Sequence, residues 1–115
     1  MEKFMFLFRG SDVYQPGQSP KALEALKTEL MQWVAELSEK GVHLSSEPLE
    51  PVGKQVSGIN KNVTDSPFGL SREIVGGCTI VAAEDIQEAI EIAKSCPILE
   101  SNATIEVRQI QKLVI

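Results

Sequence analysis

Histidine is nearly missing from this chain: among 115 residues His43 is the only one, with two cysteines, Cys78 and Cys96. A structural zinc site needs four ligands drawn mainly from cysteine and histidine. One imidazole and two distant thiols make no such set, so neither a metal nor any other cofactor is expected. Long apolar runs are missing too. The stretch from Phe4 to Phe8 is closed by Arg9-Gly10-Ser11-Asp12, short of the roughly 7–15 apolar residues of a secretory h-region. It is shorter still than the about 20 residues of a membrane span. The cytoplasm is the expected address. There the cysteines read as free thiols, and the sequons at Asn62 and Asn102 as chance matches. Runs of like charge are absent and net charge is −5, which argues against nucleic acid and against anionic membrane as partners. Gly76-Gly77 lacks the lysine and hydroxyl residue of a phosphate loop. No G-x-S-x-G elbow and no neighbouring cysteine–histidine pair occur.

What is present reads as one α+β domain spanning residues 1–115, with hydrophobic residues at 43%, enough for a packed core. Residues 3–9 read as a strand apolar on both faces, Phe4, Phe6 and Phe8 on one and Met5 and Leu7 on the other. Ser19-Pro20 marks a helix start. Leu23, Leu26, Leu30, Trp33, Val34 and Leu37 then recur at helical spacing, and Gly41 supplies the stop. A second strand from about Val42 to Leu49 is marked as an edge by Pro48 and Pro51. Lys54 to Ile59 and Val63-Thr64 flank an asparagine-rich turn, as in a hairpin. Residues 73–83 form another strand apolar on both faces. A helix from about Glu84 to Ser95 has an acidic start that suits the helix dipole. The last strand is Thr104 to Ile110.

That order is the ferredoxin-like split βαβ arrangement, an antiparallel sheet with an inserted hairpin. It makes residues 3–9 and 74–82 the central strands. Two helices cover only one face of such a sheet. The other face is left without cover; an exposed apolar face of several hundred Å² is a partner signature, and a second copy of the chain is the simplest cover. A homodimer is expected.

Asp65-Ser66-Pro67-Phe68 followed by Arg72-Glu73-Ile74-Val75-Gly76-Gly77 resembles the DGPF motif and its continuation in YCII-related proteins. The Lys3-Phe4-Met5 strand, the acidic-start helix, the Cys96-Pro97 break and Ile105-Glu106-Val107-Arg108 resemble that family as well. The resemblance implies a dimeric α/β barrel, in which two sheets pack face to face around a cleft. Departures are visible. Ser66 stands where the motif has glycine, and Leu70 stands near the place of an acidic residue. The histidine that some relatives carry on the first helix is absent, so their histidine–aspartate pair does not carry over.

Four residues are the candidate site. Asp65, at the mouth of the expected cleft, has the chemistry of a general base raised by desolvation. Its structural alternative, accepting backbone N–H bonds within an Asx turn, carries the greater weight. Arg9 and Arg108, on neighbouring strands, have the forked guanidinium that grips a carboxylate or phosphate. Their alternative is an ion pair with Glu106 or Asp65. Phe68 completes the set as an apolar contact. An imidazole is the side chain suited to acid–base work near neutrality, yet His43, standing alone, reads as a surface or edge-strand residue. The function expected is a domain binding a small molecule, an anion among the candidates, in the cleft at the dimer interface. The alternative is an enzyme whose cleft aspartate and arginines assist proton transfer on a small carbonyl or lactone compound.

Overall fold

A computed structural model of the chain describes residues 1–10, 18–50, 52–65 and 74–113. The elements run β1 (Glu2–Arg9), α1 (Pro20–Glu39), β2 (His43–Pro48), β3 (Lys54–Ser57), β4 (Asn62–Asp65), β5 (Val75–Ala83), α2 (Ile86–Lys94), a 3-10 turn (Pro97–Ser101) and β6 (Thr104–Gln109). Four strands form one antiparallel sheet in the order β2-β5-β1-β6, and β3 and β4 form a separate two-stranded sheet. The central strands are the two that the sequence marks as apolar on both faces.

Each helix starts and stops where local chemistry directs. The Ser19 hydroxyl accepts the Ala22 N–H at 3.1 Å, and Pro20 sits in the first turn, where its missing N–H costs nothing. After the last turn Gly41 takes a φ of 74°. Its N–H donates to Ser38 O and that of Val42 to Leu37 O, both at 3.0 Å, a Schellman ending. The second helix begins at Ile86, two residues later than its acidic start suggests. Asp85 is the cap, accepting the Glu88 N–H at 2.9 Å, and Glu88 reaches back to the Glu84 N–H at 3.2 Å. The hairpin strand also ends early, at Ser57, because Gly58 (φ 76°) and Lys61 (φ 59°) bend the chain.

The core lies on one face of the sheet. Phe4, Phe6 and Phe8 are buried beneath the helices with Val81, Ala83, Trp33, Leu37, Ala89 and Ala93. Trp33 is fixed twice over: its ring lies 6.4 Å from that of Phe6, tilted by 31°, and its Nε1 donates to Ser95 Oγ at 2.9 Å. Met5, Leu7, Cys78, Ile80 and Ala82 are half-buried on the opposite face, and no described element covers them. Cys96 is buried in the core, and burial pushes its thiol up to about 11. The thiolate form is therefore scarce at neutral pH, and this is a packing residue.

Candidate functional site

The two halves of α1 meet the sheet differently. Trp33 and Leu37 in the second half are buried, whereas no residue of the first three turns is. Yet Leu23, Leu26 and Leu30 continue the apolar stripe there. These side chains look across a cavity of about 570 Å³ toward β2 and β5. Such a volume falls within the range of small-molecule sites, roughly 300–1,000 Å³, and apolar walls with few polar groups are their usual character.

Apart from Lys27 on α1, the polar side chains are at the sheet end. Ser46 and Thr79 line the cavity and are register partners on β2 and β5. Their hydroxyl oxygens are 2.9 Å apart, and Ser46 Oγ is 2.8 Å from His43 Nε2. In a regular strand, residues three apart point to opposite faces. The register of β2 slips between His43 and Ser45. This irregularity turns both His43 and Ser46 toward the helix-covered face and leaves Leu44 exposed. Thr79 is only 2% exposed, so its hydroxyl depends on Ser46 for a partner.

Gly77 lets β2 come this close. A Cβ on Gly77 would lie 2.9 Å from the Glu47 carbonyl oxygen and 3.2 Å from the Pro48 Cα. Inside a central strand, Gly77 admits the backbone of β2.

The residues singled out in the sequence lie elsewhere. Arg9 and Arg108 occupy the open face of the sheet and converge on one carboxylate. Arg9 is 3.3 Å from Glu106 Oε1, and Arg108 is 3.7 Å from Glu106 Oε2. Glu106 thus holds the position between the guanidiniums that a bound anion would take. Asp65 ends β4 on the two-stranded hairpin and pairs with Lys54. Both side chains are largely exposed, and exposed pairs of this kind contribute at most about 1 kcal/mol. Phe68 and Ser66 lie outside the described residues. Among the described residues no three His, Cys, Asp or Glu side chains are grouped to hold a metal ion. No described helix is long and apolar enough to cross a membrane.

A family model for the YCII-related domain matches residues 4–113. The chain belongs to this family. No curated protein matches it. Among solved structures it is similar to 5-chloro-2-hydroxyhydroquinone dehydrochlorinase from Burkholderia phenoliruptrix AC1100, determined in complex with 2,5-dihydroxybenzoquinone. Identity is 13% and the TM-score 0.52, with 94% of this chain and 93% of that one covered. This likeness supports the YCII-related fold along the chain, at an identity too low to carry chemistry from one protein to the other.

Sequence reasoning misses Ser46 and Thr79. For Thr79 a signal existed: a hydroxyl between Cys78 and Ile80 in an otherwise apolar central strand needs an internal partner. For Ser46 there was none, since its orientation depends on the irregularity in β2.

Proposed function

We propose that this YCII-related protein binds a small, largely apolar ring compound bearing a hydroxyl or carbonyl group, in the cavity between α1 and β2–β5. The observation that carries this reading is the apolar stripe of α1, standing off the sheet above a floor that carries two bonded hydroxyls, one of them joined to an imidazole. An apolar wall takes up a ring by burial, and the hydroxyls orient its polar group. The dehydrochlorinase of like fold, solved with a dihydroxylated quinone, makes hydroxylated rings the first class to try. Trp33 borders the cavity and is the only tryptophan, so its fluorescence reports binding. Titration with 2,5-dihydroxybenzoquinone, chlorohydroquinone and 4-nitrophenol should give saturable quenching by at least one of them. The variant Leu26→Phe, which adds bulk to the cavity wall, should weaken it. No saturable quenching by any of the three, or equal affinity in the variant, would overturn the reading.

The proposal extends to assembly. Met5, Leu7, Ile80 and Ala82 form a continuous half-buried apolar surface with no described cover, and a second copy packed sheet to sheet would remove it from water. Sedimentation at micromolar concentration is expected to give a dimer. A compact monomer there would defeat this part alone.

A further inference from the structure

The chain His43–Ser46–Thr79 has chemistry beyond orientation. A serine hydroxyl has one proton to give and two lone pairs to accept with. In the arrangement where neutral His43 has its proton on Nδ1, Nε2 accepts from Ser46, at the observed 2.8 Å. Thr79 then donates to Ser46 over 2.9 Å. This uses the Ser46 proton and one of its lone pairs. The second lone pair, on a half-exposed residue lining the cavity, is left for a donor on the ligand.

We propose that His43, Ser46 and Thr79 form a proton relay that ionises a hydroxyl group, phenolic or enolic, of the compound bound in the cavity. The inference rests on the cavity being the binding site. In the step, the ligand O–H bond breaks and its proton passes to Ser46 Oγ. The Ser46 O–H bond breaks in concert and its proton passes to His43 Nε2. The ligand is left as an oxyanion, serine is restored, and histidine becomes the imidazolium, so protons and charge balance with no redox partner. Imidazole suits the task because it is the side chain that takes up a proton between about pH 5 and 8. Thr79 acts through Ser46 and is a positioning residue, holding the serine hydroxyl toward His43.

The sign of the effect is diagnostic. Burial in an apolar cavity disfavours a charged oxygen and raises a hydroxyl's pKa, so a lowered one requires a proton acceptor or a cation. Lys27 of α1 is the cation lining the cavity, and Glu47 of β2 and Cys78 of β5 are the other titratable groups there. Strand alternation turns Glu47 and Cys78, paired with each other, toward the far face.

The test uses the whole protein and 4-nitrophenol, whose ionised form absorbs visible light and whose neutral form does not. At one pH, the ionised-to-neutral ratio of the bound phenol should exceed that of the free phenol about tenfold, one pK unit. His43→Gln keeps a hydrogen-bonding partner for Ser46 but cannot take the proton. In it, and in Ser46→Ala, the ratio within the bound fraction should fall to the free value or below, read with protein in excess of each variant's own Kd. His43→Gln should keep its Tm, whereas Ser46→Ala, which leaves the buried Thr79 hydroxyl without its partner, should melt lower. Lys27→Met should keep the wild-type ratio. Ser46→Ala removes a single oxygen from a half-exposed site and keeps the test usable should His43→Gln not fold. An undiminished ratio in folded His43→Gln or Ser46→Ala, or a loss confined to Lys27→Met, would overturn the relay. Quenching without any excess ionisation in the wild type would also sink it while leaving the binding reading intact. Absence of quenching by 4-nitrophenol would remove the relay's premise, and failure of the other two rings as well would remove the binding reading.

Discussion

Phe6→Ala is expected to lower stability by about 3–5 kcal/mol, the usual cost of truncating a fully buried aromatic side chain. Phe6 has no exposure at all. It sits on a central strand, paired with Thr79 on one side and Val107 on the other, and its ring meets Trp33 of α1. Neighbours on three elements leave little room for collapse into the vacated space, so the cavity contribution adds to the lost transfer energy. A domain of this size has a total stability of about 5–15 kcal/mol, so the variant would lose a large share of it. Met5→Ala, one residue away, is the contrast: its side chain lies half-exposed on the open face and adds nothing to the helix–sheet core. Urea denaturation of both variants checks the difference. A Phe6→Ala loss no larger than that of Met5→Ala, measured on dissociated chains, would show that the core does not lie on the phenylalanine side.

That choice of face marks where the sequence is legible and where it is not. Period-2 alternation in residues 3–9 makes both sides of β1 apolar, which identifies a central strand without saying which side the helices cover. The answer lies in long-range packing, in Trp33 reaching Phe6 across the domain. Helix ends were readable because their chemistry is local: Ser19-Pro20 and Gly41 act through bonds spanning a few residues. The site was harder. Arg9 and Arg108 do converge, as neighbouring first and last strands require, but on Glu106, the partner given in the sequence as the competing role. His43 looked solitary because its partner is a serine turned inward by an irregular register, itself bonded to Thr79 on another strand. A strand irregularity leaves almost no trace in composition, and neither does the gap beneath the first half of α1. The stripe of leucines there reads as core whether it meets a sheet or an empty cavity.

The second large effect concerns the glycine that holds that cavity's floor together. Gly77→Ala is expected to destabilise the protein by about 1–3 kcal/mol, as overpacking of a tight contact does, and to weaken ligand binding. The added methyl group would meet the Glu47 carbonyl oxygen at 2.9 Å, and backbone yields less readily than the end of a flexible side chain. Either β2 moves away from β5 or β5 is pushed toward the open face. Both displacements act on the pairing that sets Ser46 against Thr79, two positions along from Gly77. The Leu49 N–H to Gly76 O bond at 3.0 Å holds the far side of the same contact, so β2 is not free to pivot there. Gly58→Ala separates this from the general difficulty of replacing glycine. Nothing lies within 4 Å of its Cβ position, and its penalty comes only from a φ of 76° in an exposed turn, with no reach to the cavity. Thermal melts should show both variants destabilised, but Trp33 quenching by the best ring compound should weaken in Gly77→Ala alone. Unchanged stability and affinity in Gly77→Ala would mean that β2 does not approach β5 as closely as described, and with it the floor of the site would fall.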